Sequence, residues 1–484
     1  MQRQLKDQIE KIRSKGAMYV DARWYPFEEA NNLTMLNGNL KEVSFSRESG
    51  VGVRVLYKGA WGFSASPELS NISAIFDEAF DNARVAAERV TFPVRLSEKD
   101  AIKASFTSPN RIDPFTVSLS EKIEFMRKMD EKMNQSGVFQ RMINLIFMRK
   151  QIIFLDSDGS EIEKNIIEVF PTLKVTGLDA AGISHERKFK PSRIIDTRGF
   201  ETLDVHVFLE NAERIVKELN QIRVADECPK DTRSVILLPS IMLLQAHETI
   251  GHALELDRIL NYELAFAGGS FVTLKDFGTL RYGSDKLTAR ANAILPNSPG
   301  SFGFDDDGVP AQNNLLIDKG LLVGAISGRQ MVGEANTRAG EKIFKGSSGA
   351  NRATNFYRVP LERMTNINID PGRDGTLEDI VSKTEKGIIL DDYKSMSIGS
   401  NREQFHFGTD IGWLVEDGNV TNVVKNCTYK GDTLKFYNSL TAVGNRSTWA
   451  LKYIPDCGKG QPNQPMQVGH GVPVCRFDDV IIGE

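Results

Sequence analysis

Cysteine is scarce in this chain, long apolar runs are missing, and neither sign of charge dominates. The 484 residues include four cysteines, Cys228, Cys427, Cys457 and Cys475. At that density a disulfide framework is not expected, which leaves free thiols or a metal thiolate. No stretch approaches the roughly 18 consecutive apolar residues of a membrane span, and the opening MQRQLKDQIEKIRSKGA alternates charge where a signal peptide would be apolar. The expectation is a cytoplasmic protein with no membrane partner. A formal net charge of −4 provides no basic field to attract nucleic acid, so no direct nucleic-acid partner is expected either. Fixed-period repeats and low-complexity tracts are also missing.

What is present is the composition of a globular protein rich in turns, 40 % hydrophobic and 26 % charged with 40 Gly and 18 Pro. The length suggests about three units. Residues 1–100 read as an α+β subdomain: a charged amphipathic helix, strand segments near residues 17–24, 33–36 and 42–46, a hairpin about Lys58 and Gly59, and a helix in which Ile72, Ile75, Phe76, Ala79, Phe80, Ala83, Ala86 and Ala87 recur at helical spacing. Residues 101–230 read as a second α+β subdomain. It opens on a helix capped by Ser118 or Ser120 with a stripe of Leu119, Ile123, Met126, Met129 and Met133, assigned to core, and contains a hairpin turn at Asp158-Gly159. Residues 231–484 begin with an apolar strand and a helix capped by Ser240, then become Gly-rich with short β runs, which fits a β-rich or barrel-like domain. The acidic run Asp305, Asp306 and Asp307 reads as a solvated turn with no metal. Arg352, Tyr357 and Arg358 are assigned no binding role, and His185, His206 and His406 fall outside any ligand spacing.

The chemistry is concentrated in one helix. IMLLQAHETIGHALELD places His247 and His252 around Glu248. Imidazole is a good neutral ligand for Zn²⁺, and a carboxylate beside the first ligand can take a proton from water at the metal's open position. The spacing is HExxxH, however. At about 100° per residue, ligands five apart diverge by roughly 140° on a regular helix. A site here therefore requires an over-wide turn, a π-bulge, and Gly251 is the residue expected to ease it. Candidates for a third ligand are Glu255, Cys457 and His470, of which Cys457 is preferred, since a metal deprotonates a thiol.

HETIGHALELD, then GSFGFDDDGVPAQNNLLIDKGLLVG, NRATNFYRVPLERMTN and CGKGQPNQPMQVGHGVP, preceded by VGVRVLYKGAWGFSASPELS, resemble the ordered signature blocks of the TldD/PmbA family of metallopeptidases. The resemblance spans nearly the whole chain. It implies an α+β fold in two parts, an α+β N-terminal portion joined to a β-rich C-terminal domain that carries the metal helix. It also implies the TldD-like branch, which keeps the HExxxH motif that PmbA-like members lack. The ligand set it implies is His247, His252 and Cys457 around Zn²⁺, with Glu248 as the catalytic base. The expected activity is hydrolysis of peptide bonds in unfolded or flexible polypeptides by metal-activated water. A homodimer, or a heterodimer with a PmbA-like paralogue, is the expected assembly. The alternative is a non-catalytic peptide-binding or scaffold subunit of such an assembly. Many members read CGKDGQ where this chain reads CGKGQ, one residue shorter.

Overall fold

Two strands far longer than their apolar segments organise the first half of the molecule. In the computed structural model, which describes residues 1–192, 198–265 and 268–484, β1 (Tyr19–Leu36) and β2 (Asn39–Tyr57) run straight through the polar stretches between those segments. Ladder hydrogen bonds come from the backbone and tolerate polar side chains. Register shifts occur only near Tyr25–Glu28, where Pro26 has no N–H to donate, and near the hairpin end at Thr34 and Met35. β3 (Ala60–Ser66) turns back along β2 through Lys58 (φ 48°) and Gly59 (φ 81°), the two left-handed residues a tight hairpin requires.

The strands β4 (Lys103–Thr107), β5 (Gln140–Asp156), β6 (Glu161–Leu178) and β7 (Ser184–Phe189) join the same sheet. Its order is β3-β2-β1-β5-β6-β4, with β7 also on β6. Strands from residues 1–100 and from residues 101–230 are thus hydrogen-bonded into one seven-stranded sheet. Each end carries its own helices. α1 (Gln2–Ser14) and α2 (Ile72–Ala87) bury Leu5, Ile9 and Phe76 against Val20, Val53 and Leu155. α3 (Leu119–Met133) and α4 (Val205–Ile222) bury Met126, Met129, Phe208 and Ile215 against Leu33, Ile143 and Leu173. The methionine stripe is core, and Ser118 closes a capping box with Glu121.

The second half is built on a closed ring of five strands. Asp231–Leu237, Lys386–Asp391, Gln404–Glu416, Asn419–Asp432 and Cys475–Ile482 each pair with the next, and the last pairs back to the first. α5 (Pro239–Ala246) leaves the end of Asp231–Leu237. Its N-cap is Leu238 rather than Ser240, because Pro239 at the first helical position starts the helix earlier. The Ser240 hydroxyl donates instead to the Asp391 carboxylate. The chain thus has an α+β N-terminal portion and a β-rich C-terminal domain.

The acidic run corrects a sequence expectation. Asp305, Asp306 and Asp307 are buried, not solvated. Cations from the N-terminal sheet pair with two of them: Lys164 on β6 reaches Asp306 at 2.7 Å and Arg54 on β2 reaches Asp307 at 2.8 Å. Asp305 accepts backbone N–H groups from Asp307, Val309 and Asn351 at 2.8 to 3.0 Å. Burial disfavours the Asp306 charge, but Lys164 and Arg23 hold its carboxyl down at about 2. A triplet that reads as surface from composition is therefore an electrostatic joint between the two halves.

Candidate metal centre

α5 does not end at Ala246 but widens. Residues His247–Gly251 form a π-turn, and the backbone N–H of His252 donates to the carbonyl of His247, five residues back. This is the enlargement that a five-residue ligand spacing demands. Widening a helix strands backbone carbonyls, and buried hydroxyls collect them. Thr249 donates to the Gln245 carbonyl at 2.6 Å, Tyr437 approaches the same carbonyl at 3.3 Å, and Tyr282 donates to the carbonyl of Thr249. Gly251 plays a different part from the one its sequence suggests. Its φ of −56° is ordinary, and what matters is space, since a Cβ there would lie 2.8 Å from the Met364 sulfur and 3.1 Å from Ile367.

With the turn widened, both imidazoles face the same side, their ring centroids 4.7 Å apart. Cys457 reaches them from the strand Ala450–Lys459, which pairs with Gln464–Val472 and is bulged between Ile454 and Cys457. Its Sγ lies 3.4 Å from His252 Nε2. One ligand atom from each of His247, His252 and Cys457 falls within 4.8 Å of the others, and all three residues are buried. The remaining two third-ligand candidates sit one shell out. His470 Nε2 meets His247 Nδ1 at 2.9 Å, and the Glu255 carboxylate accepts His252 Nδ1 at 2.9 Å. Each imidazole is thereby oriented through one nitrogen with the other free for a cation, the arrangement in which outer partners fix tautomer and raise ligand basicity.

The electrostatics suit a cation. Burial pushes His247 and His252 well below the ordinary imidazole value and His470 to about 3, so the rings are neutral and their lone pairs available. Burial also pushes the Cys457 thiol up to about 11, since Arg363 offsets only part of the cost. A buried thiol beside two neutral imidazoles becomes a good thiolate once a metal replaces its proton. Glu248 is buried beside them. Burial raises its pKa while Arg402, bonded to its carboxylate, opposes the shift.

Residues 230–484 match the PmbA/TldA metallopeptidase C-terminal domain, and residues 28–83 match domain 1 of the same group. The chain belongs to the TldD/PmbA family. Relatives include a metalloprotease of Methanocaldococcus jannaschii, 27 % identical over 96 % of this chain and 97 % of that protein. Another is a zinc metalloprotease TldD homologue of Saccharolobus solfataricus, 24 % identical over 98 % of each chain. The crystal structure of TldE from Thermococcus kodakarensis shares the fold across 99 % of both chains, with a TM-score of 0.70 at 16 % identity. Among the described residues no helix is long and apolar enough to cross a membrane.

Two elements of this TldD/PmbA site carry no local sequence signal. Arg402 lies 154 residues from Glu248. It sits in a turn with φ 67°, its carbonyl held by the Thr433 hydroxyl at 2.7 Å. Lys459 is fully buried and meets Glu255 at 3.0 Å and Asp257 at 2.8 Å. Arg258 adds a bond to the same Glu255 oxygen at 2.9 Å, and the Met364 N–H reaches the other oxygen at 3.0 Å. Burial would raise the Glu255 pKa, but Lys459, His252 and Arg258 together hold it well below the usual carboxylate range. Of the remaining residues considered from sequence, His185 pairs with Asp179 at 3.1 Å, His206 is exposed beside Glu210, and Arg352 is buried over the Phe302 ring.

Proposed function

We propose that this chain is a zinc-dependent peptidase that hydrolyses peptide bonds of unfolded or flexible polypeptides in the cytoplasm. The observation that carries the reading is the convergence of two neutral imidazoles and a buried thiol beside the Arg402-held carboxylate of Glu248. Two His and one Cys form a donor set suited to zinc, and three protein ligands leave a position for chemistry. Bound there, zinc would supply Lewis acidity that acidifies water and polarises a scissile carbonyl. Glu248 takes the proton from the attacking water and returns it to the leaving amine. Arg402 fixes the direction of that carboxylate, while His470 and Glu255 fix the two rings.

An unfolded substrate fits the surroundings. Among the described residues the strand that bears Cys457 pairs on one side only, with Gln464–Val472, so its other edge can hold an extended peptide through main-chain hydrogen bonds. The assembly that goes with this reading is a pair with a second copy or a PmbA-like paralogue.

Removing the metal tests the reading. Protein purified without chelator is expected to contain about one zinc per chain and to degrade an unfolded test polypeptide. Chelation should abolish that cleavage and added zinc should restore it, with products read by mass spectrometry. Undiminished cleavage by metal-free protein would contradict the proposal, and a zinc content near zero would favour a scaffold subunit.

A further inference from the structure

A cavity of about 440 Å³ lies beside the metal helix and borders both halves of the molecule. Its walls include Leu243 of α5, Tyr393, and Lys452 and Tyr453 of the Cys457 strand. Leu243 precedes His247 by four residues, so the two share one face of the helix. The Tyr393 hydroxyl feels the charge of Glu248, which helps burial raise its pKa. The cavity therefore borders the helix that leads into His247 and lies along the strand that bears Cys457.

The charges in its wall are unevenly matched. Asp391 is engaged by Arg187 at 2.6 Å and by Ser240, and Asp392 by Lys188 at 3.3 Å. Two ammonium groups are left over. The Lys190 ammonium lies 5.9 Å from the centre of the Tyr393 ring and, among the described residues, has no acidic partner. Lys452 Nζ has one acceptor among the described residues, the carbonyl of Lys190 at 3.2 Å. Burial lowers the Lys452 pKa, and Asp391 and Asp392 offset only part of that cost. A half-buried ammonium with one neutral acceptor is under-satisfied, and an incoming anion completes it.

We infer that Lys452 and Lys190 form a subsite for a carboxylate of the bound peptide, either its C-terminal carboxylate or an Asp or Glu side chain. The inference rests on the peptidase reading above. The apolar surfaces of Leu243 and Tyr453 in the same cavity suit a peptide better than a bare inorganic anion. Lys452 and Cys457 are five residues apart on one strand, roughly 16 Å at about 3.3 Å per residue, so the recognised carboxylate lies about four or five residues from the bond that is cut.

The test uses zinc-loaded Glu248→Gln protein, which should not cleave, and three fluorescent decapeptides of one sequence. One ends in a free carboxylate, one in an amide, and the third ends in an amide but carries Glu about four residues from the centre. Fluorescence anisotropy should show at least one carboxylate peptide binding about tenfold or more tighter than the uncharged amide. The ratio should fall below about threefold when Lys452→Met is added. Preference for the free C-terminus or for the Glu peptide tells which source the subsite reads. Lys190→Met gives the same test if Lys452→Met does not fold. Equal affinities for all three peptides, no measurable binding, or a preference that survives both substitutions would overturn the subsite. Wild-type cleavage of the same peptides is measured alongside: its absence would count against the peptidase reading, whereas cleavage without carboxylate preference would count against the subsite alone.

Discussion

Glu248→Gln is expected to keep its metal and to lose peptidase activity by about 10²–10⁴-fold, the usual contribution of a positioned general base. The substitution is nearly isosteric, so the π-turn and its ligands should stand as they are. What disappears is the capacity to accept a proton from water, together with the charge that holds Arg402. A structural role for Glu248 would give a different outcome. Loss of the buried charge pair would then appear as lowered thermal stability or lost zinc, with activity falling only in proportion. Steady-state kinetics on an unfolded substrate, with zinc content and melting temperature measured on the same preparation, separates the two.

The second large effect is expected at Glu255. One of its oxygens accepts from His252, Arg258 and Lys459 at 2.9 to 3.0 Å, and the other accepts the Met364 N–H. Glu255→Gln removes a carboxylate that meets both Arg258 and Lys459 while accepting from His252, and turns an amide against those cations in at least one rotamer. Breaking a buried ion network by removing one partner costs about 3–5 kcal/mol. Loss of an outer partner of a ligating imidazole weakens metal binding by roughly 10–100-fold. Both losses should appear together, as a lowered unfolding midpoint in denaturant and a weaker zinc affinity in competition with a chelating dye. Wild-type zinc affinity with unchanged stability would show that Glu255 does not support His252.

Residues close in sequence made part of this site legible. HExxxH can face one direction only from an enlarged turn, so the widening at His247–Gly251 follows from the spacing itself. The hydroxyls that make such a turn affordable, on Thr249, Tyr282 and Tyr437, are scattered through the chain and carry no motif. Likewise, sequence preferred Cys457 over Glu255 and His470 as third ligand but gave no sign that His470 and Glu255 would each hold one imidazole ring. That distinction depends on the offset of two paired strands, in which Cys457 lies opposite Met466 while His470 lies opposite Lys452. Arg402 had no signal at all, since an arginine in a polar turn looks like surface until the turn folds against Glu248.

The fold followed a similar division. Periodicity located α2 and α3 because their apolar faces repeat locally. The length of β1 and β2 escaped it, because strand pairing recruits polar residues that no alternation marks. Asp305, Asp306 and Asp307 misled for the same reason, as their partners Arg54 and Lys164 arrive from another part of the chain.

The central claim is the ligand set, and zinc-edge X-ray absorption on the purified protein tests it most directly. The account predicts one sulfur at about 2.3 Å and two imidazole nitrogens at about 2.0–2.1 Å, with the sulfur lost in Cys457→Ser. A shell of nitrogen and oxygen alone in the wild-type protein, or a sulfur signal that survives Cys457→Ser, would contradict it.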